Sequence, residues 1–170
     1  MAGCLALSIL VSDAVCCDMT NMSTSSAITS LYADSDAVQY VCGEVQCSLA
    51  EFTRELAVEG RKLGTGSAGD DALLIEPEKK ANQYFSALYL VDRKACAYRL
   101  VFAPDVSASG IKLLKSVHHG YLDIRSHQRE SAAYWRDDDF LYDPLRSRYV
   151  SIKSRCFANL NGAAETVPCE

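Results

Sequence analysis

The stretch YFSALYLVDRKACAYRLVF, Tyr84 to Phe102, decides the fold. Its first half, Tyr84 to Val91, is apolar on both faces, as a central strand is. Asp92-Arg93-Lys94 is polar and turn-like. In the second half Cys96, Tyr98, Leu100 and Phe102 fall on one face and Arg99 on the other, the period of two that marks a half-buried strand. Two such strands joined by a short polar turn form an antiparallel pair. Pro104 ends the second strand, because proline cannot donate to a ladder.

Working outward, the same grammar repeats. Ala72 to Glu76 is strand-like on the N-terminal side. On the other side, Ser109-Gly110 turns into Ile111–Val117, and His118-His119-Gly120 turns into Tyr121–Arg125. Ala132–Trp135 and Phe140–Tyr142 follow, and the Asp143-Pro144 turn leads into Arg148–Ile152. Short strands separated by polar turns predict an antiparallel β-meander, a twisted or propeller-blade-like sheet. One helix is expected before it. Ser48 with Glu51 three residues on makes a capping box, Leu49, Phe52 and Leu56 recur at helical spacing, and Gly60 supplies a stop, which predicts a helix over 48–59. Residues 36–42 alternate as a short strand would, and 18–35 reads as a polar linker. The expected class is α+β, mostly β, in a single domain over 36–170.

Eight cysteines lie at positions 4, 16, 17, 42, 47, 96, 156 and 169. Their spacing lacks the paired C-x2-C units of a zinc site, and the three histidines are remote in sequence. Disulfides in an oxidising compartment fit better, with Cys42–Cys47 and Cys156–Cys169 as the local pairs. Residues 1–17 have the short apolar run of a secretory signal peptide, too short for a stable membrane span. A basic segment before it is missing and Asp13 interrupts it; a lipoprotein-like reading of Cys4 competes. The expected location is periplasmic or secreted. A net charge of −5, with Lys and Arg scattered, argues against a nucleic-acid binder.

Catalytic and cofactor patterns are weak. Gly64, Gly66 and Gly69 spell G-x-G-x-x-G, but after a helix and before a strand, the reverse of the dinucleotide arrangement. No G-x-S-x-G elbow exists for a serine hydrolase. Cys96 as a nucleophile competes with its incorporation in a disulfide. Glu76, Asp123 and Asp137–Asp139 contain carboxylates for a glycosidase pair, yet carboxylates this abundant are ordinarily solvated. Asp105-x-Ser107-x-Ser109-Gly110 lacks the acidic ligands of a calcium loop. No cofactor or metal is expected, and no enzyme.

Residues 118–142 are richer as a surface. His119, Tyr121, Arg129, Tyr134 and Trp135 are followed by Asp137, Asp138 and Asp139. Tyr, Trp and Arg dominate binding hot spots because they join large buried area to a polar handle. Trp135 itself reads more readily as a core filler of the meander. Both readings stand at this point.

Tyr98-Arg-Leu-Val-Phe102, Gly110-Ile-Lys-Leu-Leu114, His119-Gly-Tyr-Leu-Asp-Ile124, Tyr134-Trp135 and Tyr142-Asp143 with Arg148-Tyr149 together resemble small bacterial periplasmic domains of the lysozyme-inhibitor-like kind. That group includes immunity proteins against delivered peptidoglycan hydrolases. The Gly-Tyr-x-Asp-Ile unit is also similar to one blade of the FG-GAP propeller repeat, although Ser116 to His119 stands where that repeat has an Asp-rich calcium loop. The resemblance implies a twisted sheet whose loops plug a hydrolase cleft. The expected function is therefore an exported inhibitor or immunity protein whose acidic surface meets a cationic peptidoglycan hydrolase. The alternative is a structural or accessory envelope protein with no enzyme target.

Overall fold

The computed structural model describes residues 23–66, 71–80, 84–93, 95–103, 108–160 and 162–169. The signal-peptide expectation for 1–17, Gly69 of the glycine pattern, and the Asp105 and Ser107 positions lie outside them. Over the described residues the protein is mostly β with two antiparallel sheets and three short helices, stapled by disulfides Cys42–Cys47 and Cys156–Cys169.

The elements run α1 (Ser25–Tyr32), α2 (Ser35–Cys42), α3 (Leu49–Arg54), β1 (Leu56–Arg61), β2 (Ala72–Pro77), β3 (Ala87–Asp92), β4 (Ala97–Phe102), β5 (Ala108–His118), β6 (Tyr121–Arg129), β7 (Tyr134–Asp143), β8 (Arg148–Leu160) and β9 (Ala163–Val167). Strands β1 to β4 form one sheet in chain order, and β5 to β9 a second, also in chain order. The meander is thus real but divided.

Three layers result. On one face of the first sheet, Leu73, Ile75, Ala87 and Tyr89 pack against Ala27, Ile28, Leu31 and Phe52 of the helices. On its other face, Ala72, Leu74, Leu88, Leu90 and Phe102 pack against Ile124, Tyr142 and Tyr149 of the second sheet. Every residue of β2 is buried, so the apolar run there reflects a strand covered on both sides. Each Leu so enclosed contributes about 1.5–3 kcal/mol relative to exposure. One segment stitches the layers: Leu122 donates its amide to the Leu63 carbonyl at 2.9 Å and Gly64 bridges Tyr121. Asp71 braces that segment by accepting from the amides of Leu63 and Gly64.

Four expectations are corrected. The polar linker over 18–35 contains α1, because Ala27, Ile28 and Leu31 share one helical face and bury it. Residues 36–42 form α2 instead of a strand. Asp34 caps it by accepting from the amides of Asp36 and Ala37, while Ala37, Val38 and Val41 turn one stripe to the core. The capping box of Ser48 and Glu51 is present, but α3 stops at Arg54. Val58, Glu59 and Gly60 pair with Ile75, Leu74 and Leu73 instead, so sheet pairing overrides helical spacing. Finally, Ala132–Trp135 and Phe140–Tyr142 are not two strands: β7 runs unbroken from Tyr134 through the three aspartates to Asp143.

Two local details depart from simple alternation. In β4, Tyr89 pairs with Leu100 and Leu88 with Phe102, so Val101 is the extra residue of a bulge. Val101 and Phe102 are both buried as a result, and Leu100 is exposed. Gly110 has φ 95°, and a Cβ there would overlap the Tyr84 hydroxyl, so only glycine lets Tyr84 close on this edge.

Candidate partner-binding face

The second sheet has its inner face on the core and its outer face open. Cross-strand register assigns side chains to each, because directly paired residues share a face. Lys112 pairs with Arg125, Arg125 with Asp139 and Asp139 with Lys153, which makes one row. His127, Asp137 and Arg155 make the next, and Arg129, Trp135 and Phe157 the third.

The chemistry along these rows is specific. Asp139 accepts from Arg125 at 2.6 and 3.1 Å and from Arg155 at 3.2 and 3.0 Å. The Arg125 hydrogen bond is the main cause that holds the Asp139 carboxyl below its usual range, with Arg155 and Lys153 adding to it. The same contact with Asp139 raises Arg125 further above its ordinary value. Asp137 lies 2.7 Å from the Nδ1 of His127. Trp135 stacks on Phe157 with planes 14° apart and centroids at 5.6 Å. A recess of about 300 Å³ opens at the β5 side, between Tyr84 and the side chains of Lys112, Arg125, His127 and Asp137.

The predicted site residues separate accordingly. Arg129, Trp135, Asp137 and Asp139 come together on the outer face. Asp138 turns inward and is buried, accepting from Arg136 Nε at 2.9 Å and from the Ser154 hydroxyl at 2.5 Å. Tyr134 opens β7, and its carbonyl accepts from the amides of Glu130 and Ser131. His119 sits exposed at the tip of the β5–β6 hairpin. There it and Gly120 both have positive φ, the conformation of a tight two-residue turn. Tyr121 packs inward on Tyr142 at 4.4 Å, and burial raises its pKa. The acidic run is therefore not a free negative patch: each of the three carboxylates is engaged by a basic side chain.

Lys153, Arg155 and Phe157 were not singled out from sequence, and they complete every row. Their signal was present as a period of two in Lys153-x-Arg155-x-Phe157, past the point where Ile152 closes the last apolar alternation. Five cations (Lys112, Arg125, Arg129, Lys153, Arg155) against two carboxylates (Asp137, Asp139) leave this face at +3 with His127 neutral. Since the chain totals −5, the rest of it carries −8.

Other candidate chemistry is dispersed. Glu76 on β2 is tied to the Ser86 hydroxyl at 2.7 Å and to Lys80, and Asp123 on β6 to His118 at 2.8 Å. Cys96 is exposed and forms no disulfide among the described residues. Also among them, no group of three or more His, Cys, Asp and Glu side chains is placed to hold a metal ion, and no helix is long and apolar enough to cross a membrane.

Comparison with protein-family models, with characterised proteins and with solved structures finds no match to this chain.

Proposed function

We propose that this is an exported binding domain of the inhibitor or immunity type, and that the outer face of the second sheet is what it presents to a peptidoglycan hydrolase. Two disulfides support the oxidising compartment this requires, periplasmic or extracellular. The observation that carries the reading is the row of Arg129, Trp135 and Phe157 set beside two rows of ion pairs. A stacked aromatic pair flanked by guanidinium groups supplies anchors, and the cross-strand ion pairs keep the surrounding side chains preorganised.

The charge distribution gives the encounter two scales. At long range, a body carrying −8 outside this face attracts a cationic hydrolase. At short range, the +3 face suits the hydrolase's active-site cleft, because glycoside hydrolysis requires a pair of carboxylates there. This revises the contact expected from sequence. Asp137 and Asp139 organise the arginines, and the arginines meet the partner.

The test is inhibition of peptidoglycan clearing by a panel of muramidases and amidases, titrated with the purified, oxidised full chain. Stoichiometric inhibition of at least one enzyme is expected. The double variant Arg129→Ala, Trp135→Ala should weaken it by two orders of magnitude or more, since each hot-spot truncation costs about 2 kcal/mol. No inhibition of any hydrolase would overturn the reading and favour an accessory envelope role.

A further inference from the structure

The recess at the β5 side of the outer face holds hydrogen-bond donors that the ion-pair rows leave over. Gly110 lines it without contributing a side chain, and Tyr84 packs its hydroxyl onto that glycine. Lys80 sits over the Tyr84 ring, 5.0 Å from its centre, a cation–π contact that helps to keep the ring in place. Lys112, Arg125, His127 and Asp137 form the polar wall. A ligand can reach these groups: Lys112 is exposed, and the side chains of Arg125 and His127 keep 28% and 48% of their surface in solvent.

The donors are unevenly used. Arg125 directs Nε and Nη2 to Asp139, and its Nη1 has no hydrogen-bond partner among the described residues. Among them the Tyr84 hydroxyl has none either, and Lys112 makes neither a hydrogen bond nor an ion pair. The charges are uneven in the same way. Asp139 counters Arg125, and Asp137 lies against His127 at 2.7 Å, while the Lys112 ammonium faces the recess with no counter-charge. The wall therefore offers three donor groups and one uncompensated positive charge to whatever enters.

We infer that this recess receives one carboxylate side chain of the partner, an aspartate or a glutamate. The recess takes that role only if the outer face is the docking surface proposed above. The entering carboxylate accepts from the Tyr84 hydroxyl, from Lys112 and from Arg125 Nη1, and its single charge matches the uncompensated ammonium. A phosphate dianion would set its second charge beside Asp137, where repulsion opposes it. A cation would meet Lys112 and Arg125, and a neutral amide would leave Lys112 as it was. Because the pair is hydrogen-bonded inside a recess, it acts mainly on how long the complex lasts.

The experiment is amide chemical-shift titration of the oxidised full chain with N-acetyl-aspartate N-methylamide and, separately, with its asparagine counterpart, which differ at the side-chain charge. Low ionic strength keeps screening small. The aspartate compound should shift the amides of Gly110 and Lys112 saturably and bind at least about tenfold more tightly than the asparagine compound, the value of a hydrogen bond to a charged group. Tyr84→Phe should weaken the aspartate compound by about tenfold, and Lys112→Ala by about threefold, as an exposed ion pair does. Thermal melts of both variants check that they fold. Equal affinities for the two compounds, no saturable shift at Gly110 and Lys112, or parent-like affinity in both variants would each overturn the proposal. The titration needs no hydrolase, so its failure is distinct from that of the docking reading, which the inhibition assay on the parent chain decides.

Discussion

The two sheets solve the problem of holding a strand in place by opposite means. In the first, β2 is buried along its whole length and β3 over Ala87 to Leu90, with helices on one side and the second sheet on the other. Its stability is dispersion and water exclusion, and it offers little to a partner. In the second, the inner face joins the same core through Ile124, Tyr142 and Tyr149, and the outer face is held by rows of charge. Charged rows stabilise less than an apolar layer, but they leave guanidinium groups and a stacked Trp at the surface in fixed positions. The chain concentrates its apolar burial in one sheet and the chemistry proposed for recognition in the other.

The division predicts a graded set of mutational effects. The largest belongs to the first sheet. Leu88→Ala removes a side chain with no solvent exposure from between the two sheets and should cost about 2–5 kcal/mol in a denaturant melt. A cost under 1 kcal/mol would mean that the two sheets do not pack as described. Next is the staple at the far edge of the second sheet. Cys156–Cys169 closes a loop with a sequence separation of 13 and ties the β8–β9 hairpin, so replacing both cysteines with serine should cost about 3 kcal/mol. The Cys42–Cys47 pair, with a separation of 5, should cost less. Equal losses from the two would break the ranking.

These effects bear on what the sequence made legible. The strands around Ala72–Glu76, Ala87–Val91, Ala97–Phe102, Ile111–Val117 and Tyr121–Arg125, the capping box at Ser48 and the two local disulfides all follow from local chemistry, and the structure has them. Local chemistry failed where tertiary pairing decides. The alternation of 36–42 fits a strand or a helix equally over so short a run, and only the Asp34 cap and the apolar core above β3 select the helix. Leu56 continues a helical stripe, yet its neighbours find partners in β2. The acidic run was read as a patch because sequence cannot show that β6 and β8 bring Arg125, His127 and Arg155 alongside it. Sequence also read the meander as one sheet, since nothing local marks the step from β4 to β5 as a change of layer.

An intermediate effect sharpens the comparison through pH. Asp139 titrates below the ordinary 3.8 because Arg125 hydrogen-bonds its charged form. A depressed carboxylate contributes stability that is full above the unfolded value and is lost as pH falls through the folded one. Asp139→Asn should therefore destabilise the protein by about 1–3 kcal/mol near neutral pH. The gap from the parent should shrink as both approach pH 2, where the parent carboxyl is itself protonated. Unfolding titrations of the two proteins at several pH values check this. A gap constant from pH 6 to pH 2 would mean that Asp139 acts by packing and not by charge, and the rows would lose their electrostatic meaning. Arg125 adds nothing in this window, since its raised value lies far above it.

The smallest stability effect is the most discriminating. Lys153 is exposed and directly opposite Asp139, whose closer ion pairs come from Arg125 in the same row and Arg155 in the next. Lys153→Ala should change stability by no more than about 0.5 kcal/mol, as exposed ion pairs do. If the outer face docks on a carboxylate-lined cleft, the same substitution should slow association with the inhibited hydrolase and flatten its salt dependence, because a rim charge acts mainly on encounter. Leu88→Ala, adjusted to conditions where it remains folded, should leave both unchanged. Association kinetics at two ionic strengths read the difference. A Lys153→Ala variant with unaltered on-rate and salt slope would detach the charge of this face from recognition, and the ion-pair rows would then be a way of closing a sheet and nothing more.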